Sequence, residues 1–181
     1  MEFSRRFTLK DGRTCFLRNA VETDAVNFID CFKTAHGETE FLTTYPDEFK
    51  GTPEGVAQNF KRMIDSETDI EICAFVEGKL IGSAGINAVS LRDKTKHRAE
   101  FGISILKDFW GLGAGKAMAQ SCIECAKKAG FTQVELEVVA ENQSAVKLYE
   151  KLGFVEFGRN PLGFMTRSGS RQELVYMRLE I

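Results

Sequence analysis

The chain predicts a mixed α/β fold, a sheet with helices packed on it. Three observations carry that expectation. Short apolar runs of strand length recur along the chain, segments with helical spacing fall between them, and glycine or proline marks most of the boundaries.

Phe7 to Leu9 and Thr14 to Arg18 read as two strands joined by the turn Lys10-Asp-Gly-Arg13. Thr23 or Asp24 caps a helix whose apolar residues are Val26, Ile29 and Phe32, fading near Gly37. Residues 38–51 have no period, and Tyr45-Pro46 imposes an extended or turn conformation. Thr52-Pro53-Glu54 is a helix start, with a hydroxyl cap followed by proline in the first turn. Val56, Phe60, Met63 and Ile64 supply that helix's apolar face. Ile70 to Val76 and Leu80 to Val89 form a hairpin about Glu77-Gly78-Lys79. A charged loop, Ser90 to Lys96, leads to a strand that starts near Arg98. A helix over Lys116 to Lys128 stops at Gly130, and Gln133 to Val139 alternates as a strand. Asn142 to Leu152 is the last helix, closed by Gly153; Phe154 to Phe157 and Glu173 to Leu179 are final strands across a Gly/Ser/Arg-rich loop.

At 181 residues, with no repeat or linker, the chain is expected to form one domain, 1–181. A net charge of −2 with interspersed signs gives no field that favours nucleic acid or a membrane surface. No apolar run reaches the length of a bilayer span, and the first residues lack a secretory pattern. Five cysteines, an odd number, fit reduced thiols in a cytoplasmic protein. Cys122 and Cys125 fall inside a predicted helix without a second pair, and read as small packing residues. His36 and His97 have no companion ligands, so no metal is expected.

The most informative stretch is Glu100 to Lys116, EFGISILKDFWGLGAGK. A strand (Phe101, Ile103, Ile105) passes through a polar turn into Trp110, Gly111, Leu112, Gly113, Ala114 and Gly115, and then a helix at Lys116. The first amides of a helix have no internal partners and lie at the positive end of its dipole, so this turn suits a phosphate. The dinucleotide pattern fails because Lys116 stands where its third glycine belongs. The P-loop pattern is one residue short and has Ala117 in place of its hydroxyl.

The turn instead resembles the pyrophosphate loop of the GNAT superfamily of acetyl-CoA-dependent N-acetyltransferases. That loop reads Gln or Arg, two residues, Gly, one residue, then Gly or Ala; here it is matched at Gly113 and Gly115, with Trp110 replacing Gln or Arg. A second stretch, NQSAVKLYEKLGF over 142–154, is similar to the superfamily's carboxyl-terminal acetyl-CoA motif. The resemblance runs from about Phe16 to Leu179. HRAEFGI (97–103), with Gly169 and Tyr176-Met177, looks most like the polyamine and ribosomal-protein N-acetyltransferase branch.

The resemblance implies a mostly antiparallel sheet whose central strands, near 100–106 and 133–139, splay apart to admit the pantetheine arm. Ile103, Ser104 and Ile105 would line that arm and Asn142 would touch it. The amides of Gly111, Leu112, Gly113, Ala114, Gly115 and Lys116 would hold the pyrophosphate, and an amide near Ile105 would polarise the thioester carbonyl. Read from pattern alone, Tyr149 is a phenol on an apolar helix stripe that needs a hydroxyl partner. Glu100 alone is a strand-end carboxylate, solvated or paired with Arg98. The resemblance makes Tyr149 the donor to the leaving thiolate and Glu100 the base, acting through water. The acceptor implied is a small amine, a polyamine or a protein N-terminus, and many relatives pair as homodimers. The rival expectation is a CoA-binding sensor without catalysis. Glu38, Glu40, Asp47 and Glu48 would offer a cationic acceptor an acidic wall; Arg159, Arg167 and Arg171 would suit a carboxylate or phosphate.

Overall fold

A computed structural model describes residues 1–181. The elements run β1 (Ser4–Thr8), β2 (Thr14–Asn19), α1 (Ala25–Gly37), α2 (Pro53–Asp65), β3 (Ile70–Val76), β4 (Lys79–Ala88), β5 (Arg98–Ile105), α3 (Ala114–Lys128), β6 (Gln133–Val139), α4 (Gln143–Lys151), β7 (Val155–Met165) and β8 (Arg171–Glu180). The strands make one eight-stranded sheet in the order β1-β2-β3-β4-β5-β6-β8-β7. Every neighbouring pair is antiparallel except β5 with β6, the two strands joined through α3. Only a crossover of that length returns a chain to a parallel neighbour. The mixed sheet with flanking helices is therefore the observed architecture.

Local chemistry explains the boundaries. The Thr52 hydroxyl accepts the Gly55 amide (3.2 Å) and Pro53 opens α2. Asn142 does the same for α4, its Oδ1 accepting the Ala145 amide at 3.2 Å. Glu77 and Gly78 both have positive φ (51° and 79°), the conformation that lets a two-residue turn follow the twist of β3 and β4.

Helices α1 and α2 cover one face of the sheet, where Phe28, Phe32 and Phe60 gather over Glu71 of β3. The other face carries Phe101, against whose ring Tyr149 of α4 packs edge-on at 6.1 Å. The apolar interior is a single cluster that includes Ile70, Ile72, Ile86, Met118, Cys122, Val134 and Met177. All five cysteines are free and buried, Cys122 and Cys125 on the inner side of α3. No helix is long and apolar enough to cross a membrane.

Four sequence expectations are corrected. Helix α3 starts at Ala114, two residues before Lys116, because Gly113 (φ 101°) turns the chain directly into it. Strand β7 runs to Met165 instead of ending at Phe157, and the expected loop shrinks to residues 166–170. Gly158, Pro161 and Gly163 concealed it: β7 is a sheet edge with register shifts after Glu156 and Asn160, where proline and glycine are tolerated. Strand β1 covers Ser4–Thr8, earlier than Phe7 to Leu9. Val26 and Ile64, placed on apolar helix faces, are solvent-exposed.

Candidate active site

The sheet opens between β5 and β6. These strands pair only from Arg98↔Gln133 to Glu100↔Glu135; beyond that β5 stays with β4 and β6 with β8. The Leu106 amide donates to Ile81 and the Val89 amide to Arg98 (2.9 and 3.0 Å). Even-numbered residues of β5 therefore pair with β4, and alternation turns the main-chain groups of Ile103 and Ile105 toward the opening. The Ile105 carbonyl is taken by the Trp110 indole N–H at 2.8 Å; its amide stays free. Ser104 turns its main chain to β4 and presents a half-buried side chain on the α1/α2 face, level with Ser83.

At the end of β5 the glycine turn supplies the cradle. From Gly111 through Lys116 no amide donates to any protein group, whereas the Trp110 and Ala117 amides on either side do. Gly111 (φ 73°) and Gly113 (φ 101°) hold the left-handed conformation that aims these amides outward at little steric cost. A β-carbon on Gly115 would lie 3.5 Å from Ile105 and from Leu148, so α3, β5 and α4 converge there. Lys10 was not anticipated. Its amide donates to the Leu112 carbonyl (3.0 Å) and its Nζ to the Gly111 carbonyl (2.8 Å), adding a cation beside the turn. Nothing local in sequence links a residue of the β1–β2 turn to one a hundred positions away.

Tyr149 sits on α4 between Phe101 (6.1 Å) and Phe154 (5.8 Å). Burial pushes its phenol pKa well up. The only buried side-chain nitrogen or oxygen without a partner is Arg178 Nε, so the Tyr149 hydroxyl, which no protein group bonds, keeps a path to solvent. Asn142 holds its helix cap and stays half-buried.

Carboxylates occupy the α1/α2 face beside the opening. Arg98 is committed to Glu135, with Nη2 to Oε2 at 2.6 Å, which leaves Glu100 exposed and without an ion-pair partner. Glu137, two residues beyond Glu135 on the same face, has its pKa raised by partial burial and by the Glu100 charge. In sequence it falls on the polar side of the alternating strand Gln133 to Val139.

The acidic loop is less open than the sequence reading expected. Glu38 accepts the Lys107 amide (2.7 Å) and Glu40 the Tyr45 hydroxyl (2.7 Å). Glu48 accepts the Tyr45 amide (2.8 Å), and Asp47 pairs with Arg167 at 2.8 Å. Arg167 also lies 4.1 Å from the Tyr45 ring centre, so the α1–α2 loop is clasped to the β7–β8 turn. Arg159 is held by Glu156 (2.7 Å) and Glu173 (3.0 Å). Arg159 and Arg167 are thus each engaged by protein carboxylates, whereas Arg171 has no ion-pair partner.

The opened strand pair and the helix-start cradle beside it are the features of an enzyme that handles a CoA thioester, and the comparisons agree. Residues 34–154 match the sequence model of the Acetyltransferase (GNAT) family, and the chain belongs to that family. It is 29% identical over 147 residues to an uncharacterized N-acetyltransferase of Methanocaldococcus jannaschii, spanning 80% of this chain and 62% of that protein's length. It is 35% identical over 81 residues to the ribosomal protein bS18 alanine N-acetyltransferase of Escherichia coli, 45% of this chain and 54% of that one. The GNAT-family acetyltransferase of Streptococcus pneumoniae superposes with a TM-score of 0.88 at 28% identity, covering 92% of this chain and 99% of that one. Two further structures of the same fold, 16% and 21% identical, hold acetyl-CoA.

Proposed function

We propose that the protein transfers the acetyl group of acetyl-CoA to a primary amine by direct attack within a ternary complex. The observation that carries this reading is the unbroken series of free amides from Gly111 to Lys116 at the end of an unpaired strand edge. The amides meet the pyrophosphate, and the free main-chain groups of Ile103 pair with the pantetheine amides as an added strand would. Ser104 and Asn142 line the arm from the two sides. The Ile105 amide faces the thioester oxygen and stabilises the charge that forms there.

An alkylamine is mostly protonated at neutral pH, so it must first lose a proton, which Glu100 takes through water. The neutral nitrogen then attacks the carbonyl carbon and the C–N bond forms; the nitrogen gives its surplus proton to solvent water, and collapse breaks the C–S bond, the thiolate leaving to be protonated from solvent. Tyr149 donates a hydrogen bond to the departing sulfur; its burial keeps the phenol protonated and therefore a donor. The proton held by Glu100 returns to solvent. No cysteine enters, because all five are buried. The reaction is placed in the cytoplasm, where those thiols stay reduced.

Mixing the purified protein with acetyl-CoA and a panel of primary amines tests the reading by thiol release. Bound acetyl-CoA with no thiol released on any amine would favour a CoA sensor; absence of CoA binding would remove the assignment.

A further inference from the structure

A second carboxyl lies on the acceptor face of the sheet, without a counter-charge. Glu71 of β3 stands opposite Gly85 of β4, and Gly85 opposite Gly102 of β5. Across three strands this row reads Glu-Gly-Gly toward the opening. Glu71 Oε2 leans over Gly85, filling the place a β-carbon would take. Its charge is thereby carried about one strand spacing, roughly 5 Å, toward β5. A β-carbon on Gly102 would meet nothing within 4 Å. The floor between the Glu71 carboxyl and the open edge of β5 is bare.

Over Glu71 lies a cavity of about 360 Å³, lined by Phe28, Phe32, Phe49, Phe60 and Asn59 among others, with no lysine, arginine or histidine. Burial pushes the Glu71 carboxyl up to about 7, and the Ser83 hydroxyl is the one group that offsets it. A carboxyl among aromatic rings is poorly solvated and is stabilised by an incoming cation, which the ring faces also attract. The cavity lining offers an acceptor carboxylate no cation, and Arg98, Arg159 and Arg167 are each paired with a protein carboxylate, as is Arg18 with Asp24 at 2.6 Å.

We propose that this cavity receives the non-reacting end of the acceptor, an alkylammonium whose charge pairs with Glu71 and whose carbons lie on the phenylalanines, so that the acceptor is a diamine or longer polyamine. The proposal rests on the acetyltransferase reading above and selects among its acceptors. It makes Glu71 a specificity residue, separate from the proton and thiolate roles of Glu100 and Tyr149.

The test uses three acceptors with a four-carbon chain and a primary amine at one end, differing at the other: 1,4-diaminobutane, n-butylamine and 4-aminobutanoate. The full-length protein is expected to favour the diamine at least tenfold in kcat/KM over butylamine, and more over 4-aminobutanoate. Glu71→Gln is expected to raise KM for the diamine tenfold or more, while kcat and the KM values for butylamine and acetyl-CoA stay within threefold. Asn59→Lys, on the cavity wall, gives the same KM effect and serves if the first variant does not fold. Equal diamine KM in the folded variants, or wild-type preference for butylamine or 4-aminobutanoate, overturns the proposal. If no amine is acetylated although acetyl-CoA binds, the catalytic reading fails on its own. Calorimetry of diaminobutane with the CoA-bound protein then decides the cavity: binding lost in Glu71→Gln supports it, and equal or absent binding overturns it.

Discussion

The Trp110 indole N–H donates to the Ile105 carbonyl at 2.8 Å, tying the glycine turn back to the strand that delivers it. Trp110 occupies the loop position where the superfamily pattern has Gln or Arg, yet its donor points at the protein. The side chain ties the turn to the strand while the backbone amides from Gly111 to Lys116 stay unbonded. Trp110→Phe should weaken acetyl-CoA binding about fivefold, the equivalent of one hydrogen bond near 1 kcal/mol. Because Trp110 is the only tryptophan, quenching or enhancement of intrinsic fluorescence on titration with CoA reads the same site. A flat fluorescence titration at saturating CoA would place the ligand elsewhere.

Tyr149→Phe keeps the ring packing against Phe101 and Phe154 and removes only a hydroxyl that no protein group uses. Turnover should fall roughly a hundredfold, within the range for a positioned donor, while acetyl-CoA affinity stays within about twofold. The melting temperature should hardly move, since no protein hydrogen bond is lost. A large drop in stability would mean the hydroxyl is structural.

Gly113→Ala isolates backbone strain from steric conflict. At φ 101° a β-carbon there would meet no atom within 4 Å, so the cost is conformational alone, about 1–2 kcal/mol. Both thermal stability and acetyl-CoA affinity should decrease, and Gly113→Val should do more to the affinity. Unchanged CoA affinity in both folded variants would detach the turn from the cofactor.

Glu71 should govern part of the pH dependence of stability. Its folded pKa of about 7 lies above the ordinary 4.5, so the native state holds a proton that the unfolded chain has released. Stability therefore falls as pH rises from about 4.5 to 7 and levels off above, by up to roughly 3 kcal/mol. Glu71→Gln should lack that slope and should gain on the wild type as pH rises. Denaturant titrations at pH 5 and pH 8, without ligand, check the sign.

Arg167→Ala should loosen the clasp between the α1–α2 loop and the β7–β8 turn: Asp47 loses its ion pair and the Tyr45 ring its cation, while the main-chain amide at 167 still donates to the Tyr45 hydroxyl. Acceptor KM should change severalfold, with acetyl-CoA affinity constant. Equal shifts in both constants would argue against a loop confined to the acceptor side.

The legible parts of this chain were those whose cause is local. Ile70 to Val76 showed its strand as an apolar run entering the Glu77-Gly78 turn, Gln133 to Val139 by alternation, Thr52-Pro53 its helix start and Gly130 its stop, and the observed bounds agree. The glycine turn was legible for the same reason: unpaired amides at a helix start follow from a few neighbouring residues. Edge strand β7 was not, because Pro161 and Gly163 are read as breakers until the sheet edge that tolerates them is known.

By itself, the sequence determined the kinds of element, their order and the turn that can hold a phosphate, since φ preference, side-chain period and helix capping act over a handful of residues. Tertiary structure alone decided that Lys10 reaches Gly111, that Arg98 is committed to Glu135, and that Glu71 leans across Gly85 beneath four phenylalanines. Those are contacts between distant segments, set by strand register and the face each helix covers, and no local preference encodes them.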